Sequence, residues 1–432
     1  MHQFRYVGNK LFCEGVSVET LAEKFGTPLY VYSQQTVTDH FQKLDAALAP
    51  LDHLICFAMK ANSNLSVMRT LANLGSGFDV VSAGELQRVI AAGGDPKKCV
   101  FAGVAKSEAE IEFALRQGIY CFNCESEPEI VRINQVAARL KKIAPIAVRV
   151  NPNVEAHTHA KITTGTYANK FGIAFEHIEG VYARANKLKN LKLRGLQMHI
   201  GSQLTQVSPY ELAVKKVLPL VKKLAAKYAL EFFSPGGGLG IIYKPALASG
   251  AAGWWQTPAA KGILTPASYA EKLLPQLQSL GLKILIEPGR FIVGNAGILV
   301  TRVEYVKRTG KKNFVIVDAA MNDLIRPAFY DSYHEIVPLV KKSGATVASD
   351  VVGGICESGD FFCKDRPLAK VGAGDRLALL SAGAYGFVMA SNYNTRPLAA
   401  EIFVNGKKFA VARARQAIPE IWAGEKVVSW LK

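Results

Sequence analysis

The sequence lacks the cysteine pattern of a disulfide framework or of a zinc module. Its seven cysteines are odd in number and irregularly spaced over 432 residues. Cys121-Phe-Asn-Cys124 has no second Cys-x-x-Cys or His pair that would complete a zinc signature. We therefore predict free thiols, no metal site and a reducing, intracellular, cytoplasmic environment.

Long apolar runs are absent as well. The first ten residues already include a Gly8-Asn9 turn, and they hold no apolar core of a signal peptide. The longest uncharged stretch, residues 377–395, contains two serines, two glycines and two asparagines. Such residues are costly in a bilayer, so the sequence predicts a soluble protein that does not span a membrane.

No single block of the chain concentrates its positive charge. Lys and Arg number 52 against 35 Asp and Glu, which gives a net charge of +17. The basic residues recur in separate clusters at 187–194, 215–227 and 307–312, whereas a nucleic-acid-binding arm would collect them in one segment. We expect solvated helix faces and no nucleic-acid partner, although the charge is compatible with an anionic small ligand.

What the chain does contain is a regular alternation of short apolar β-type runs with amphipathic helical stretches. Eight repeats in about 240 residues predict an α/β region in the form of one (β/α)8 barrel, whose typical size is about 250 residues. A doubly wound open sheet remains the structural alternative. The predicted barrel strands are residues 54–59, 78–81, 100–102, 119–122, 146–150, 193–200, 231–233 and 283–286.

The alternation stops after residue 297, and strand-like segments separated by turns follow. We predict an all-β C-terminal region, a β-sandwich or β-barrel, that is joined by strands from the N-terminus. The predicted domains are residues 1–40, the N-terminal strands; residues 41–297, the barrel; and residues 298–432, the C-terminal β domain.

Polar residues with reactive groups recur where predicted barrel strands end, which is where such barrels carry their active sites. The first strand leads into Lys60, and a partly desolvated amine there suits covalent capture of an aldehyde. Taken alone, such a lysine more often turns outward. The sixth strand leads into His199 and Ser202, an imidazole that can stack on a flat ring and a hydroxyl that can bind phosphate.

The last two predicted strands supply the features of a phosphate site. Gly236, Gly237 and Gly238 follow the seventh strand, and Glu287-Pro-Gly289-Arg290 follows the eighth. The loops after strands seven and eight are the usual phosphate position of this barrel, and no Gly-x-Gly-x-x-Gly opens an early helix to indicate a dinucleotide. The combination points to a phosphorylated planar cofactor with a carbonyl group, and pyridoxal 5′-phosphate fits.

With these motifs in place, the chain resembles the fold type III pyridoxal-phosphate-dependent decarboxylases over essentially its whole length, and within them the diaminopimelate decarboxylase family. The chain departs from the family pattern at Phe57, where tyrosine is usual, at Ser234-Pro235 before the glycines, and at Ala320, where glycine is usual. The matching segments are residues 57–62, 78–85, 169–172, 199–203, 236–240, 287–290, 321–330, 354–360 and 383–397.

The resemblance implies a role for each residue of the cofactor site. Lys60 would bind the aldehyde, and His199 would stack on the ring. Glu287 would pair with the ring nitrogen, because a carboxylate there keeps the nitrogen protonated and the ring a strong electron acceptor. Asp79 would support Lys60, with a helix N-cap role as the alternative. Tyr385 is expected to contact the cofactor. The residues expected around the phosphate are Ser202, Gly236, Gly237, Gly238, Gly289 and Arg290.

The substrate assignments also come from the resemblance. Arg326 and Tyr330 would hold the non-reacting carboxylate, which the planar arginine fork suits. Glu357 would bind the distal ammonium group, Arg290 and Tyr385 would also contact the substrate, and Cys356 would donate the proton. The family forms its active sites across a homodimer interface with the cysteine supplied by the neighbouring subunit, so the resemblance implies a homodimer with shared active sites.

The activity implied is the decarboxylation of meso-2,6-diaminopimelate to L-lysine and CO2, the last step of lysine biosynthesis. The first alternative is a decarboxylase of ornithine, arginine or carboxynorspermidine, in which Arg326 would have no carboxylate to bind. An amino-acid racemase is disfavoured by Glu287, because racemases usually place a cation at the ring nitrogen. A non-catalytic regulator is disfavoured by the presence of Lys60, Glu287 and Cys356 together.

Overall fold

The computed structural model describes residues 2–154 and 169–431, and the chain divides into two compact units. A β-rich unit comprises Met1–Thr36, Ile242–Ala259 and Val293–Lys432, and a barrel unit comprises Val37–Ile241 and Ala260–Ile292. Residues 244–266, which contain Ala-Gly-Trp-Trp, are predicted from the sequence as a long barrel loop. Up to Ala259 this segment belongs instead to the β-rich unit, although it connects two strands of the barrel.

The N-terminal segment alternates short strands with two helices. Its first helix buries Val18, Leu21 and Ala22, a spacing that places them on one face, and it stops at Gly26, whose φ is +71° and whose N–H donates to the carbonyl oxygen of Ala22. The elements are β1 (Phe4–Val7), β2 (Lys10–Cys13), β3 (Val16–Ser17), α1 (Val18–Phe25), β4 (Leu29–Ser33) and α2 (Gln34–Leu48).

The barrel unit contains a closed ring of parallel strands. Within the described residues, eight strands pair in the order β5-β6-β7-β8-β9-β11-β12-β13, and β13 pairs back with β5, while β10 adds to β9 outside the ring. The predicted (β/α)8 barrel is therefore confirmed, and the open sheet is excluded. The strands are β5 (His53–Ala58), β6 (Gly77–Val80), β7 (Cys99–Phe101), β8 (Cys121–Cys124), β9 (Ala144–Asn151), β10 (Ile173–Ala174), β11 (Leu191–Met198), β12 (Phe232–Gly236) and β13 (Lys283–Ile286).

Serine side chains begin several of the helices that follow these strands. The hydroxyl groups of Ser82, Ser107 and Ser126 each accept a hydrogen bond from the backbone N–H three residues later. Because Ser82 caps its helix, the N-cap alternative for Asp79 is excluded. The helices are α3 (Leu65–Asn73), α4 (Ala83–Ala91), α5 (Glu108–Gln117), α6 (Glu127–Arg139), α7 (Ile178–Ala185), α8 (Ser208–Tyr228), α9 (Ala246–Ser249, in the β-rich unit), α10 (Pro266–Gln278) and α11 (Arg290–Val293).

Buried side chains from six strands form an apolar cluster in the barrel. This interior is solid rather than hollow, as is usual for an eight-stranded barrel. Reactive groups are therefore carried near the carboxyl ends of the strands and on the loops that follow. The clustered residues are Cys56, Val100, Cys121, Ala147, Phe232 and Leu285.

The C-terminal strands form a sheet that includes one N-terminal strand. Its order is β18-β17-β15-β14-β4-β20-β21, with β19 pairing with β14 and β16, so that β4 lies between β14 and β20. The expected all-β architecture, completed by an N-terminal strand, is thus present. The elements are β14 (Gly297–Thr309), β15 (Lys312–Val317), α12 (Arg326–Tyr330), β16 (Ile336–Pro338), β17 (Thr346–Val352), β18 (Phe361–Ala369), β19 (Arg376–Leu379), β20 (Ala400–Asn405) and β21 (Lys408–Arg413).

Short 3-10 turns connect many of these elements. One of them, Met59–Ala61, carries Lys60, which therefore lies just after β5 rather than on it. Among the described residues, no helix combines the length and apolar character that a membrane crossing requires. The turns are Met59–Ala61, Pro96–Lys98, Phe175–His177, Ala252–Gln256, Pro258–Ala260, Gly294–Ala296, Phe387–Met389, Tyr393–Thr395, Ile418–Trp422 and Ser429–Leu431.

Candidate active site

An amine and a buried carboxylate stand side by side at the end of β5 and on β6. Nζ of Lys60 lies 3.8 Å from Oδ2 of Asp79, and 45% of the lysine side chain is exposed against 3% of the aspartate. Burial raises the pKa of Asp79, and the positive charges of Lys60 and Arg149 oppose that rise. The amine thus reaches the barrel mouth while its neighbouring carboxylate stays inside.

Lys60 and Glu287 follow two strands that pair directly. Ile286 of β13 pairs with Ile55 of β5 in parallel, and the N–H of Ala58 donates to the carbonyl oxygen of Pro288 at 3.0 Å. The two loops approach so closely that a Cβ on Gly289 would lie 3.1 Å from the carbonyl oxygen of Ala58. The predicted amine and acid therefore leave the barrel at the same end.

Three uncharged side chains donate hydrogen bonds to the carboxylate of Glu287. Nε2 of Gln197 donates to Oε2 at 2.8 Å. Oγ of Ser234 and Nδ2 of Asn123 donate to Oε1 at 3.0 and 3.3 Å. Burial, followed by the charge of Asp79, raises the pKa of Glu287 to about 7, against the effect of the Gln197 and Ser234 hydrogen bonds.

The loop after β12 has no room for side chains. A Cβ on Gly237 would lie 1.9 Å from the carbonyl oxygen of Glu287. Gly236 and Gly238 have φ of +83° and +105°, and a Cβ on either would lie 2.3 Å from a backbone carbonyl oxygen. Only glycine fits these positions, because any side chain would collide with the neighbouring backbone.

The imidazole of His199, just after β11, contacts this glycine loop. The N–H of Gly237 donates to its Nδ1 at 3.2 Å. Desolvation by the surrounding barrel, followed by the charges of Arg149 and Lys60, holds the pKa of His199 well below its usual value. The ring is therefore neutral with its proton on Nε2, and a neutral ring can lie against a flat cationic one without charge repulsion.

A guanidinium group and a hydroxyl group meet near the same loop. Nη2 of Arg290, at the start of α11, donates to Oγ of Ser202 at 3.2 Å, and Arg290 is buried. Gly201, which precedes the serine, lies against Gly238. Arginine, hydroxyl and glycine N–H groups are the donors that bind a phosphate group well.

These groups fit pyridoxal 5′-phosphate at each of its functional points. Lys60 offers an amine for the aldehyde, Glu287 a carboxyl group for the ring nitrogen, and His199 a neutral face for the ring. Arg290 and Ser202, beside the glycine loop, offer a guanidinium group and a hydroxyl group for the phosphate. The fit thus covers the aldehyde, the ring and the phosphate within the barrel unit alone.

The β-rich unit holds a buried arginine among uncharged acceptors. Nη2 of Arg326 donates to Oγ of Ser332 at 3.1 Å and to the hydroxyl oxygen of Tyr243 at 3.4 Å, and Nε donates to Nε2 of His334 at 3.4 Å. Nδ1 of His334 bonds to the carbonyl oxygen of Leu380 at 2.8 Å, so its proton lies on Nδ1 and Nε2 is left as the acceptor. The guanidinium group is thus held by three uncharged acceptors that the structure describes.

Aromatic rings surround the same guanidinium. Cζ of Arg326 lies 5.7 Å from the ring centres of Tyr330 and Tyr243 and 5.9 Å from that of Tyr385. These distances are within the range of cation–π attraction. Arg326 and Tyr330, predicted from one motif, and Tyr385, predicted from another, are therefore brought together in this unit.

Cys356 and Glu357 stand on an exposed loop of the β-rich unit. The N–H of Cys356 donates to Oδ1 of Asn394 at 3.1 Å, and the hydroxyl group of Tyr393 donates to Oε2 of Glu357 at 3.2 Å. The carboxylate of Asp360 accepts backbone N–H groups from two segments, at 2.7 Å each, which fixes the base of the loop.

The predicted site residues thus fall into two groups, one in each unit. The barrel unit carries Lys60, His199, Ser202, Gly236, Gly237, Gly238, Glu287, Gly289 and Arg290. The β-rich unit carries Arg326, Tyr330, Cys356, Glu357 and Tyr385.

Several polar residues of the site were missed from the sequence. Arg149 and Gln197 lie inside runs that were predicted as apolar strands, Asn123 lies directly after such a run and inside β8, and all three are buried. Their signal was a polar residue within a buried strand, which marks a functional position in a barrel. Tyr243 and His334 gave no comparable signal, because each lies in an irregular segment.

Comparisons with known proteins agree over nearly the whole chain. Residues 34–294 match the family described as pyridoxal-dependent decarboxylase, pyridoxal binding domain. The chain is 51% identical to a diaminopimelate decarboxylase of Neisseria meningitidis serogroup B over 96% of this chain and 97% of that protein. It is 48% identical to a diaminopimelate decarboxylase of Vibrio cholerae over 99% of this chain and 100% of that protein. The crystal structure of diaminopimelate decarboxylase from Helicobacter pylori complexed with L-lysine matches with a TM-score of 0.87 at 40% identity, covering 94% of this chain and 98% of that chain.

Proposed function

Because this chain belongs to the diaminopimelate decarboxylase family of pyridoxal-dependent enzymes, we propose that it converts meso-2,6-diaminopimelate into L-lysine and CO2, the last step of lysine biosynthesis. Its cofactor is pyridoxal 5′-phosphate, which when bound supplies an electron-accepting ring for the electron pair left by the broken carbon–carbon bond. One observation carries the proposal: Lys60 and Glu287 leave one end of the barrel on directly paired strands.

The barrel residues bind and orient the reacting groups in this proposal. Lys60 would hold the cofactor through its aldehyde group, and Asp79 would provide the negative charge beside the lysine amine. His199 supports one face of the ring, and Glu287 keeps the ring nitrogen protonated. The phosphate is held by Ser202, Gly236, Gly237, Gly238, Gly289 and Arg290.

The residues of the β-rich unit select the substrate and supply the proton. Arg326 and Tyr330 bind the carboxylate that does not react, and Glu357 binds the distal ammonium group. Tyr385, together with Arg290 of the barrel unit, contacts cofactor and substrate. The Sγ proton of Cys356 goes to the α-carbon, where it replaces the departed CO2, and the thiol recovers its proton from water. This division suits a substrate with two carboxylates, one lost and one bound.

We also propose that the enzyme is a cytoplasmic homodimer in which Cys356 and Glu357 serve the active site of the partner subunit. Their exposure on a loop supports this arrangement, because it leaves them available to a second chain. All seven cysteines lie within the described residues and are free thiols, which suits a reducing compartment. Mixing an inactive Lys60→Ala chain with an inactive Cys356→Ala chain should restore activity if sites are shared, and no recovery after subunit exchange would contradict sharing.

The activity is tested by borohydride reduction of the holoenzyme, peptide mapping and measurement of CO2 release. We expect the reduced cofactor on Lys60 and CO2 from diaminopimelate at a rate far above that from ornithine. Label on another lysine would overturn the site assignment. Comparable rates on ornithine would favour the alternative decarboxylase.

A further inference from the structure

The donors around Glu287 converge from three separate strands of the barrel. Asn123 lies on β8, Gln197 on β11 and Ser234 on β12, and each is at most 2% exposed. The hydroxyl group of Ser234 also accepts the N–H of Gly236 at 3.1 Å. The same serine therefore joins the carboxylate to the first residue of the glycine loop.

The two carboxylate oxygens of Glu287 accept different numbers of hydrogen bonds. Oε1 accepts from both Ser234 and Asn123, whereas Oε2, within the described part of the chain, accepts from Gln197 alone. Each carboxylate oxygen has two lone-pair positions. One acceptor position thus remains on Oε2 and none on Oε1.

The orientation of the two amides favours an ionised Glu287. Oδ1 of Asn123 and Oε1 of Gln197 are buried and have no hydrogen-bond partner within residues 2–154 and 169–431. Such orphaned oxygens are costly, but turning either amide over would direct its oxygen at the carboxylate. Both amides therefore present N–H groups to Glu287. A carboxylate accepts hydrogen bonds from such groups better than a protonated acid does. Among charged neighbours, Asp79 opposes ionisation and Arg149 favours it.

We propose that Gln197, Ser234 and Asn123 are positioning residues that hold Glu287 as a carboxylate and reserve one acceptor position on Oε2 for the protonated ring nitrogen of the cofactor. The proposal deepens the function proposed above and rests on it. It also gives the unusual Ser234 a purpose, because the hydroxyl group serves the ring nitrogen and the phosphate loop at once.

The test uses the full chain freed of cofactor, with two variants and one matched control. Ser234→Ala and Gln197→Met each remove one donor to Glu287 with little change of volume. Ser76→Ala is the control, because Ser76 is a buried serine of the same unit whose hydroxyl group shares its one proton between the backbone carbonyl oxygens of Ile55 and Gly77, at 3.1 and 2.6 Å. Fluorescence titration at pH 8 measures the Kd of pyridoxal 5′-phosphate and of its 1-deaza analogue, which carries carbon in place of the ring nitrogen.

We expect each donor variant to weaken binding of pyridoxal 5′-phosphate about tenfold, as for loss of a hydrogen bond to a charged group. Binding of the 1-deaza analogue should change less than twofold, and the control should bind both probes like the wild type. Equal weakening of both probes, or no weakening in either variant, would overturn the proposal. A wild-type chain that does not bind pyridoxal 5′-phosphate at all would refute the proposed function itself.

Discussion

The amine of Lys60 lies 3.8 Å from the carboxylate of Asp79, which is almost completely buried. Oδ1 of this aspartate has no hydrogen-bond partner among the residues that the structure describes, and burial raises its pKa. A buried acid with an unsatisfied oxygen weakens the fold. We expect that its purpose is the negative charge that it places beside the amine of Lys60.

Replacing Asp79 by asparagine should separate these two effects. Asp79→Asn removes the charge but keeps the shape, so we expect kcat/KM for diaminopimelate to fall about 10- to 100-fold, as for loss of a charged interaction. The thermal midpoint of the cofactor-free chain should stay equal or rise. Asp45→Asn, which alters an exposed aspartate beside His53, is the control and should change neither quantity. A joint loss of activity and stability in Asp79→Asn would indicate a merely structural residue.

Glu287 is expected to lower the stability of the cofactor-free chain in a pH-dependent manner. Folding raises its pKa from 4.5 to about 7. This shift means that the ionised form of Glu287 lowers the free energy of unfolding by roughly 3 kcal/mol. The cost is fully present above pH 7, declines as the pH falls below 7, and vanishes below 4.5, where the group is protonated in both states. Glu287→Gln should therefore raise the thermal midpoint at pH 8 and hardly change it at pH 5.

The same variant should bind the cofactor weakly, because glutamine cannot keep the ring nitrogen protonated. Gln197 can turn its amide over to accept a hydrogen bond from the new side chain, so the fold should tolerate the change. Glu108→Gln is a control for which we expect the opposite change in thermal midpoint, because the hydrogen bond from Arg139 lowers the pKa of that exposed glutamate. An equal midpoint shift of Glu287→Gln at both pH values would contradict the linkage to the buried carboxyl group.

Arg326 should determine the affinity for the second carboxylate of the substrate. Arg326→Lys keeps the charge but loses the planar fork, so we expect kcat/KM to fall about 100-fold, mainly through KM. Arg376→Lys is the matched control, because this arginine of the same unit pairs with Glu19, and its KM should be unchanged. Steady-state kinetics on diaminopimelate decides the point, and a fall in kcat at constant KM would argue against carboxylate binding by Arg326.

Candidate site residues that follow a strand were easier to predict from the sequence than polar site residues that lie inside a strand. Lys60, His199 and Glu287 were found because an apolar run leads directly to each, and the barrel rule then places them at one end. The partners of Glu287 were not found, because they lie 164, 90 and 53 residues away in the chain. Which of the polar residues inside strands meet one carboxylate depends on the register of the closed barrel, and a linear pattern does not contain that register.

The local sequence does not predict strand β18 or helix α2. The middle of β18 reads Lys364-Asp-Arg-Pro367 and lacks the apolar alternation of a half-buried strand, as is usual for a strand at the edge of a sheet. Helix α2 carries polar residues at many positions and has no strong stop signal. Pairing with neighbouring elements, rather than local sequence preference, decides both structures.

Cys356 should be the first cysteine to react with an alkylating reagent. It is exposed, whereas the other six cysteines are buried and burial raises the pKa of each of their thiols. Because the thiolate is the nucleophile, iodoacetamide at pH 8 should label one cysteine per chain and abolish activity in proportion. Mass spectrometry of the digested protein locates the label.

Cys356→Ser should resist labelling and lower kcat about 10²- to 10⁴-fold, as expected for loss of a general acid, with little change in KM. Cys363→Ser is the matched control from the same unit, and it should keep both the labelling of Cys356 and the activity. Full activity after complete alkylation of Cys356 would remove it as proton donor. First labelling at a buried cysteine would show instead that exposure in this fold does not govern thiol reactivity.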